Sequence, residues 1–420
     1  MARRVLLAFW EGGNGHLRRV VALSELLQSR GVEVAFLASG AGTGSLVGLK
    51  PDATVYTVDR NFVPEPGTEE RPRYSHAFRH DQRRRALGYS AQAITTEVVA
   101  IRGVFRRFLP DLVVNDYHDS IRIAADADEI PIVSLVMATG LPGEPPMGYW
   151  KLDEVGDRAM PSCLDAFNDA RTLLGLSPYR DERDTFVGLA NFIPSCPSLD
   201  PVRTVVGEHR VHVSAIAGPA SPQEHDARSR PVVVSYRAEG NRRPDDGYQR
   251  TLFEVVKSFG ARVDFRVFGS NRYEAVFGRP RRASPFRGFV SVEEFDESLA
   301  DASVVVTSGG ATMTHALSVG VPVVCVPWTA SEATHGMRAA EANAGLLPAE
   351  FLSPLEWRFD TAVGAEVAGL WGETIGAKRL EALITEALDD PKYRVGAMDV
   401  ASELATARRA LPSELERLGV

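Results

Sequence analysis

The 420-residue sequence predicts an α/β protein made of two doubly wound domains facing each other across a cleft, and three observations carry that expectation. Short continuous apolar runs, VLLAFW at 5–10 and VPVVCVP at 321–327 among them, have the character of strands buried on both faces of a parallel sheet. Between such runs lie stretches patterned for one face of a helix, so strand and helix alternate. The alternation occurs twice, with Pro-rich sequence in between, and the chain is too long for one ordinary domain.

The elements follow in order. VLLAFW ends at a Gly-rich loop, EGGNGH, after which LRRVVALSELLQSRG sets Val20, Leu23, Leu26 and Leu27 on one helix face. Gly31 stands where a helix end favours glycine, and VEVAFLA (32–38) is the next strand. Strand, loop, helix and strand in this compass form a βαβ unit with parallel strands. ATVYTV (53–58), LPDLVVND (109–116) and IPIVSLVMA (130–138) supply the third, fourth and fifth strands. A polar, Pro- and Arg-rich segment at 61–89 and then a helix separate the third from the fourth. Turn-rich sequence over 175–230 is the expected linker. The second series reads RPVVVSY (230–236), ARVDFRVFG (261–269), a short strand near 286–290, ASVVVTSGG (302–310), the helix ALSVG and VPVVCVP. Residues 379–418 read as amphipathic helix broken by Pro391 and Pro412. Domains are accordingly expected over 1–215 and 216–395, with a helical tail, 396–420, packing back on the first.

Composition narrows the function. The hydrophobic fraction is 44% and the charged fraction 24%, a globular profile. Forty-seven basic against 55 acidic residues leave a net charge of −8, which argues against a nucleic-acid partner. Only five of the basic residues are Lys, the codon usage of a GC-rich, bacterial type of genome. Cys163, Cys196 and Cys325 have neither disulfide nor zinc spacing, and Cys325 reads as core. The apolar run at the N-terminus stops at Glu11, short of a signal peptide, and no stretch approaches a membrane span. A cytoplasmic protein is expected.

Three constellations stand at strand ends, where open α/β sheets bind ligands. Gly12, Gly13, Asn14, Gly15 and His16 follow the first strand; the glycines let a ligand approach backbone N–H groups. Arg18 stands where the dinucleotide fingerprint would need its third glycine, and no GK[ST] ending marks a P-loop. Asp116 closes the fourth strand, where a carboxylate could orient His16 as a general base. Its alternative role is capping the helix SIRIAADA, and His118 and Asp119 are rival candidates one turn away. In the second domain Ser308, Gly309, Gly310, Ala311 and Thr312 open a helix and suit a diphosphate, the alternative being a plain tight turn. The pair Asp126 and Asp128 mimics a metal-binding DxD but lies ahead of a strand, in an expected surface turn, so no metal site is expected.

These motifs resemble a family. GNGHLRRVVALSELLQSRGVEVAF resembles GxGHxxPxLALAxxLxxRGHEVTF, and PDLVVND resembles PDLVVxD, of nucleotide-sugar-dependent glycosyltransferases with the GT-B fold. RGFVSVEEFDESLADASVVVTSGGATMTHALSVGVPVVCVP resembles their nucleotide-sugar half, with SGGAT nearest the bacterial lipid-intermediate GlcNAc transferase group. The resemblance covers nearly the whole chain. It implies an acceptor-binding first domain and a donor-binding second one, transferring sugar from a dTDP- or UDP-sugar to a small-molecule or lipid-linked acceptor. It implies His16 as the base, steadied by Asp116, with Gly13, Asn14 and Gly15 on the acceptor side. Phe289 and Val290 would contact the nucleobase and Ser308 through Thr312 the diphosphate, with no metal and no cofactor beyond the donor as co-substrate.

Departures bear on the donor. His315 replaces the Glu that binds ribose in the family, Ser331 and Glu332 replace the sugar-reading Asp-Gln pair, and His335 replaces the following Asn. Losing the ribose carboxylate favours a thymidine diphosphate deoxysugar, hence secondary metabolism. Arg237 stands in the altered loop after the first strand of the second domain and is a candidate for phosphate charge. The departures, Thr307 included, also fit a non-catalytic helper. Arg19 fits the GxGHxxR spacing of nucleotide-sugar hydrolases or epimerases on the same scaffold, which would activate water instead. Finally, RPRYSHAFRHDQRRR (71–85) carries six Arg in an acidic chain, either a solvated face or a contact for an anionic acceptor or membrane surface. Oligomeric state stays open.

Overall fold

The computed structural model describes residues 3–9, 14–38, 40–59, 90–144, 164–214, 230–236, 246–269, 285–288, 292–327, 330–348, 358–360, 364–366 and 375–420. Strand β1 (Arg4–Phe9) leads to helix α1 (Asn14–Ser29), β2 (Glu33–Ala38), α2 (Gly40–Leu49) and β3 (Thr54–Thr57). Helix α3 (Ala91–Phe108) then precedes β4 (Leu112–Asp116), α4 (Ile121–Ala127), β5 (Ile132–Leu135), α5 (Leu164–Leu173), β6 (Ala190–Ile193) and β7 (Arg210–His212). All seven strands run parallel, in the order β3-β2-β1-β4-β5-β6-β7.

The second half repeats the plan. It contains β8 (Val232–Tyr236), α6 (Asp246–Phe259), β9 (Asp264–Phe268), β10 (Phe286–Gly288), α7 (Val292–Asp301) and β11 (Val304–Thr307). Helix α8 (Gly310–Ser318), β12 (Val323–Cys325), α9 (Ala330–Glu341) and β13 (Gly345–Leu346) complete a parallel sheet ordered β10-β9-β8-β11-β12-β13. Counted from its own first strand, that order is 3-2-1-4-5-6, as in the first sheet. Each sheet therefore reverses direction beside its first strand, at β1/β4 and at β8/β11, and opens a crevice there. The chain ends with an antiparallel pair, β14 (Arg358–Asp360) and β15 (Gly364–Glu366), and helices α10 (Ala377–Asp389) and α11 (Pro391–Arg417).

The apolar runs become strands because both faces are covered. In β1, Val5, Leu7 and Phe9 pack under α1, while Leu6 and Ala8 face α3 across the sheet. Helix α1 contributes Leu17, Val20, Leu23 and Leu27, and α3 contributes Ile94, Val98, Ile101 and Phe105. Burying each such Leu, Ile or Val stabilises the fold by about 1.5–3 kcal/mol. The N-terminus of α3 is fixed by Ser90, whose hydroxyl accepts the Ala93 N–H.

Two expectations are corrected. The stretch over 175–230 is not simply linker: β6 and β7 lie within it and extend the first sheet, with Ala190, Phe192 and Ile193 buried. Strands of four and three residues, set among prolines, are too short to show a period. The chain also breaks at Pro391, which opens α11 behind the cap Asp390, but not at Pro412, which lies inside that helix. The helix continues there because its far end is held. Leu411 and Leu415 enter the core of the first domain, and Arg30 Nη1 donates to the Pro412 carbonyl (3.0 Å). Farther back, Ala397, Val400 and Leu404 belong to the core of the second domain, so α11 ties both together. Gly396 permits the crossing: a Cβ there would meet the Ala342 and Asn343 carbonyl oxygens at 2.4–2.5 Å. Among the described residues, no helix is long and apolar enough to cross a membrane.

Candidate active site

The register of the first sheet sets Asp116, last residue of β4, beside Phe9, last residue of β1. The chain leaves β1, turns and enters α1, so His16 in the first turn of that helix comes back over the end of β4. His16 Nδ1 lies 2.7 Å from Asp116 Oδ1. The His16 side chain keeps 18% of its surface exposed and Asp116 none, with Nδ1 facing the carboxylate.

Arg19, one helical turn beyond His16, completes the group. Its Nε donates to Asp116 Oδ2 (3.1 Å) and its Nη2 to Asp116 Oδ1 (2.8 Å). The same Nη2 lies 2.8 Å from His16 Nδ1. Burial by itself would push the Asp116 carboxyl up, but the charges and hydrogen bonds of Arg19 and His16 outweigh it and hold the group below its ordinary value. An ionised Asp116 only accepts and the Arg19 guanidinium only donates, so Nδ1 of His16 stands between an acceptor and a donor.

Tyr117 supports the ring. It holds a left-handed backbone (φ 61°), a costly conformation for a bulky residue, and its ring meets His16 edge-on at 5.6 Å. Its hydroxyl accepts the Met137 N–H at 2.9 Å. Of the two rivals, His118 points elsewhere. His118 is buried, its Nε2 3.7 Å from Glu97 Oε1, and Ser120 Oγ donates to the same carboxylate. The Asp119 carbonyl accepts from Thr185 Oγ1 (2.8 Å). Ser120, not Asp116, precedes α4 at its cap position. Asp126 pairs with Arg122 (2.7 Å) and Arg171 (2.6 Å), and Asp128 with Arg102 (2.6 Å).

In the second sheet Thr307 ends β11 opposite Tyr236, the end of β8, and Ser308 to Thr312 turn into α8. Gly309 (φ 121°) and Gly310 (φ 63°) have backbones that L side chains rarely adopt, so glycine suits the turn from β11 into α8. Helix α9 packs tightly on this turn, its Glu332 Cβ only 3.1 Å from where a Gly309 Cβ would be. Ser308 Oγ donates to Glu332 Oε1 (2.9 Å). One turn on, burial pushes His335 down to about 4, Arg19 adding to the effect and Glu332 opposing it. His315 is buried in α8 with its Nε2 3.6 Å from Asp296 Oδ1, and burial lowers it as well.

The two crevices meet. Gly15 touches α8 so closely that a Cβ on it would come 3.0 Å from Ala311 Cβ. Arg18, one turn along the same face of α1, brings its charge to bear on His315 and Tyr236.

Solved structures share this architecture over the full chain. The spinosyn forosaminyltransferase SpnP aligns over 100% of this chain and 99% of its own, with 18% identity and a TM-score of 0.65. The spinosyn rhamnosyltransferase SpnG, complexed with thymidine diphosphate, aligns over 98% and 100%, with 15% identity and a TM-score of 0.66. The glycosyltransferase VinC, in complex with dTDP, aligns over 98% of each chain, with 19% identity and a TM-score of 0.64. The fold is GT-B. At these identities the likeness speaks for the fold alone; no family model and no curated protein matches the chain.

Within this GT-B framework the structure brings His16, Asp116, Gly15, Ser308, Gly309, Gly310, Ala311, Thr312, Glu332 and His335 to two touching strand-end sites. His315 lies one turn deeper on α8 and faces Asp296. Gly13, Arg237, Phe289, Val290 and the segment 71–85 lie outside the described residues, as do the side chains of Asn14 and Ser331. Sequence reasoning missed Tyr117 and the pairing of Arg19 with Asp116. The i, i+3 spacing of His16 and Arg19 was the available signal for the second; a left-handed tyrosine leaves none.

Proposed function

We propose that the chain is a metal-independent, inverting glycosyltransferase that moves a sugar from a dTDP- or UDP-sugar to a small-molecule acceptor of secondary metabolism. The observation that carries this reading is the contact of two sites. The His16–Asp116 pair at the switch point of one sheet lies against the glycine-initiated helix at the switch point of the other. The neighbours support the donor class, since SpnG and VinC are described with thymidine diphosphate bound. A second SpnG structure, complexed with spinosyn aglycone, supports the acceptor class.

In this mechanism His16 Nε2 takes the proton of the acceptor hydroxyl as that oxygen attacks the anomeric carbon. The bond from the anomeric carbon to the diphosphate oxygen breaks on the opposite face, so configuration inverts and nucleoside diphosphate leaves. Asp116 stabilises the imidazolium that forms. The N–H groups of α8 and its dipole meet the charge developing on the leaving group, the role a metal ion fills elsewhere. Arg237, Phe289 and Val290 would complete the donor site. No resident cofactor takes part.

The test is a thermal-shift panel of UDP-, dTDP- and GDP-sugars with magnesium or EDTA, followed by mass spectrometry of acceptor mixtures with the donor that binds. A shift with one nucleotide class, indifferent to metal, together with a glycosylated acceptor, is the expected result. Nucleoside diphosphate released without any acceptor would instead establish the hydrolase, for which the GxGHxxR spacing of Arg19 speaks. Binding without turnover would establish a helper.

A further inference from the structure

Helix α1 turns one face toward the second domain. Gly15 meets Ala311 of α8, and Arg18 and Arg19 follow three and four residues on, the spacing that keeps all three on that face. The two arginines differ in their partners. Arg19 holds both oxygens of Asp116, at 3.1 and 2.8 Å. Arg18 is half-buried, and among the described residues its side chain has neither a carboxylate at ion-pair distance nor a hydrogen-bond acceptor. The GxGHxxP pattern that this loop resembles leaves the position of Arg18 open.

The charge of Arg18 is felt in the crevice of the other sheet. Tyr236 ends β8 beside Thr307, the end of β11, and His315 lies in α8. Burial raises the Tyr236 phenol, and the cation of Arg18 opposes it. Burial lowers His315 against the pull of Asp296, and Arg18 adds to the lowering. A cation of the first domain thus acts on the switch point of the second, where Ser308 to Thr312 open α8. The carboxylates of this region are engaged elsewhere: Asp116 with Arg19 and His16, Asp296 beside His315, and Glu332 with Ser308. A guanidinium partly removed from water and left without a counter-charge is costly, so the arrangement favours an anion in the crevice.

We propose that Arg18 binds the diphosphate of the nucleotide donor from the first domain, so that the donor is held between α1 and α8 and read by both domains at once. The proposal rests on the transferase reading for a nucleotide donor, while its test reads binding without turnover. Arginine suits the task because its planar fork meets two phosphate oxygens together, where lysine offers a point charge. When the bond to the anomeric carbon breaks, the diphosphate keeps the electron pair and gains negative charge, so the same contact strengthens as transfer proceeds.

The test is titration calorimetry of the full chain with thymidine diphosphate and uridine diphosphate, at low and high salt. Arg18→Gln should weaken the diphosphate that the wild type binds by at least about tenfold. The melting temperature of the ligand-free protein should hold, because the side chain has no protein partner to lose. Salt should weaken the wild type more than Arg18→Gln, since the variant has lost a screened charge. Arg18→Lys, which keeps the charge, should recover part of the affinity and the salt dependence. Arg18→Met, which keeps the aliphatic stem, repeats the measurement if Arg18→Gln does not fold. Affinity within about twofold of the wild type in the neutral variant overturns the proposal. So does a loss of affinity matched by a fall in the ligand-free melting temperature, and so does a wild type that binds neither diphosphate. Failure of the transferase reading is a separate result: a wild type that binds the diphosphate through Arg18 yet glycosylates no acceptor.

Discussion

Gly15 and Ala311 touch across the cleft, with room for no more than the hydrogen the glycine carries: a Cβ would come 3.0 Å from the alanine methyl. This contact joins the first turn of α1 to the first turn of α8, the two helices that begin at the switch points of the sheets. A larger residue at either position must push the sites apart. Gly15→Val is expected to lower turnover at least about tenfold, since small misplacements are costly in a pre-organised site. The melting temperature should hold, and steady-state kinetics beside calorimetry check both halves.

His16→Ala removes the proposed base and should lower turnover by roughly 10²–10⁴-fold. The donor site is built from α8 and α9, so titration calorimetry with the nucleotide sugar should find its affinity unchanged. Full activity in this variant would take His16 out of the mechanism.

Asp116 is completely buried and paired with Arg19, so removing its charge strands a cation. Asp116→Asn is expected to destabilise the protein by about 3–5 kcal/mol, read by denaturant unfolding at neutral pH. The wild-type pair has a defined pH signature. The folded carboxyl lies below its unfolded value, so its stabilisation is present above that unfolded value and fades as pH falls through the folded one. Asp116→Asn should lose that part of the acid dependence.

Asp200 behaves in the opposite sense. Burial raises its carboxyl to about 7, partly offset by the Ala138 N–H that it accepts, with Glu144 nearby adding to the rise. The folded state then holds a proton that the unfolded chain releases near pH 4, so stability should fall as pH climbs from about 4 to about 7 and level off above. Asp200→Asn should flatten that slope and gain on the order of 2–4 kcal/mol at pH 8 relative to the wild type. Thermal melts across pH 4–9 decide it; an identical slope in both proteins would refute the assignment.

Gly309 combines a φ of 121° with the close approach of Glu332. Gly309→Ala should therefore cost about 1–3 kcal/mol of stability whether or not a diphosphate binds there. Ser308→Ala tests the donor site more cleanly, because Ser308 has no such backbone constraint. Loss of the nucleotide-induced thermal shift in Ser308→Ala, with the free protein weakened by no more than about 1.5 kcal/mol for its lost hydrogen bond to Glu332, is the expected result.

The alternation of apolar runs and helical stretches made both doubly wound sheets legible, because a strand covered on both faces must be apolar throughout. β6 and β7 escaped, being too short for any period. Pro412 misled for a tertiary reason: its helix persists because Leu411 and Leu415 are anchored in the core of the first domain, whose other members all precede residue 214. The glycine loops, His16 and Asp116 were visible as motifs at strand ends, where parallel sheets collect ligands.

Sequence alone thus determined the architecture and the residue types at its strand ends, since hydrophobic periodicity and glycine placement are local properties of the chain. Tertiary structure decided which groups share a proton. Asp116 could cap a helix, serve His118 or hold His16 until the register of β1 and β4 set it beside Phe9. The return of α1 then placed His16 and Arg19 on its two oxygens. Electrostatic coupling depends on distances of a few ångströms between residues about a hundred positions apart, and only the folded sheet fixes those.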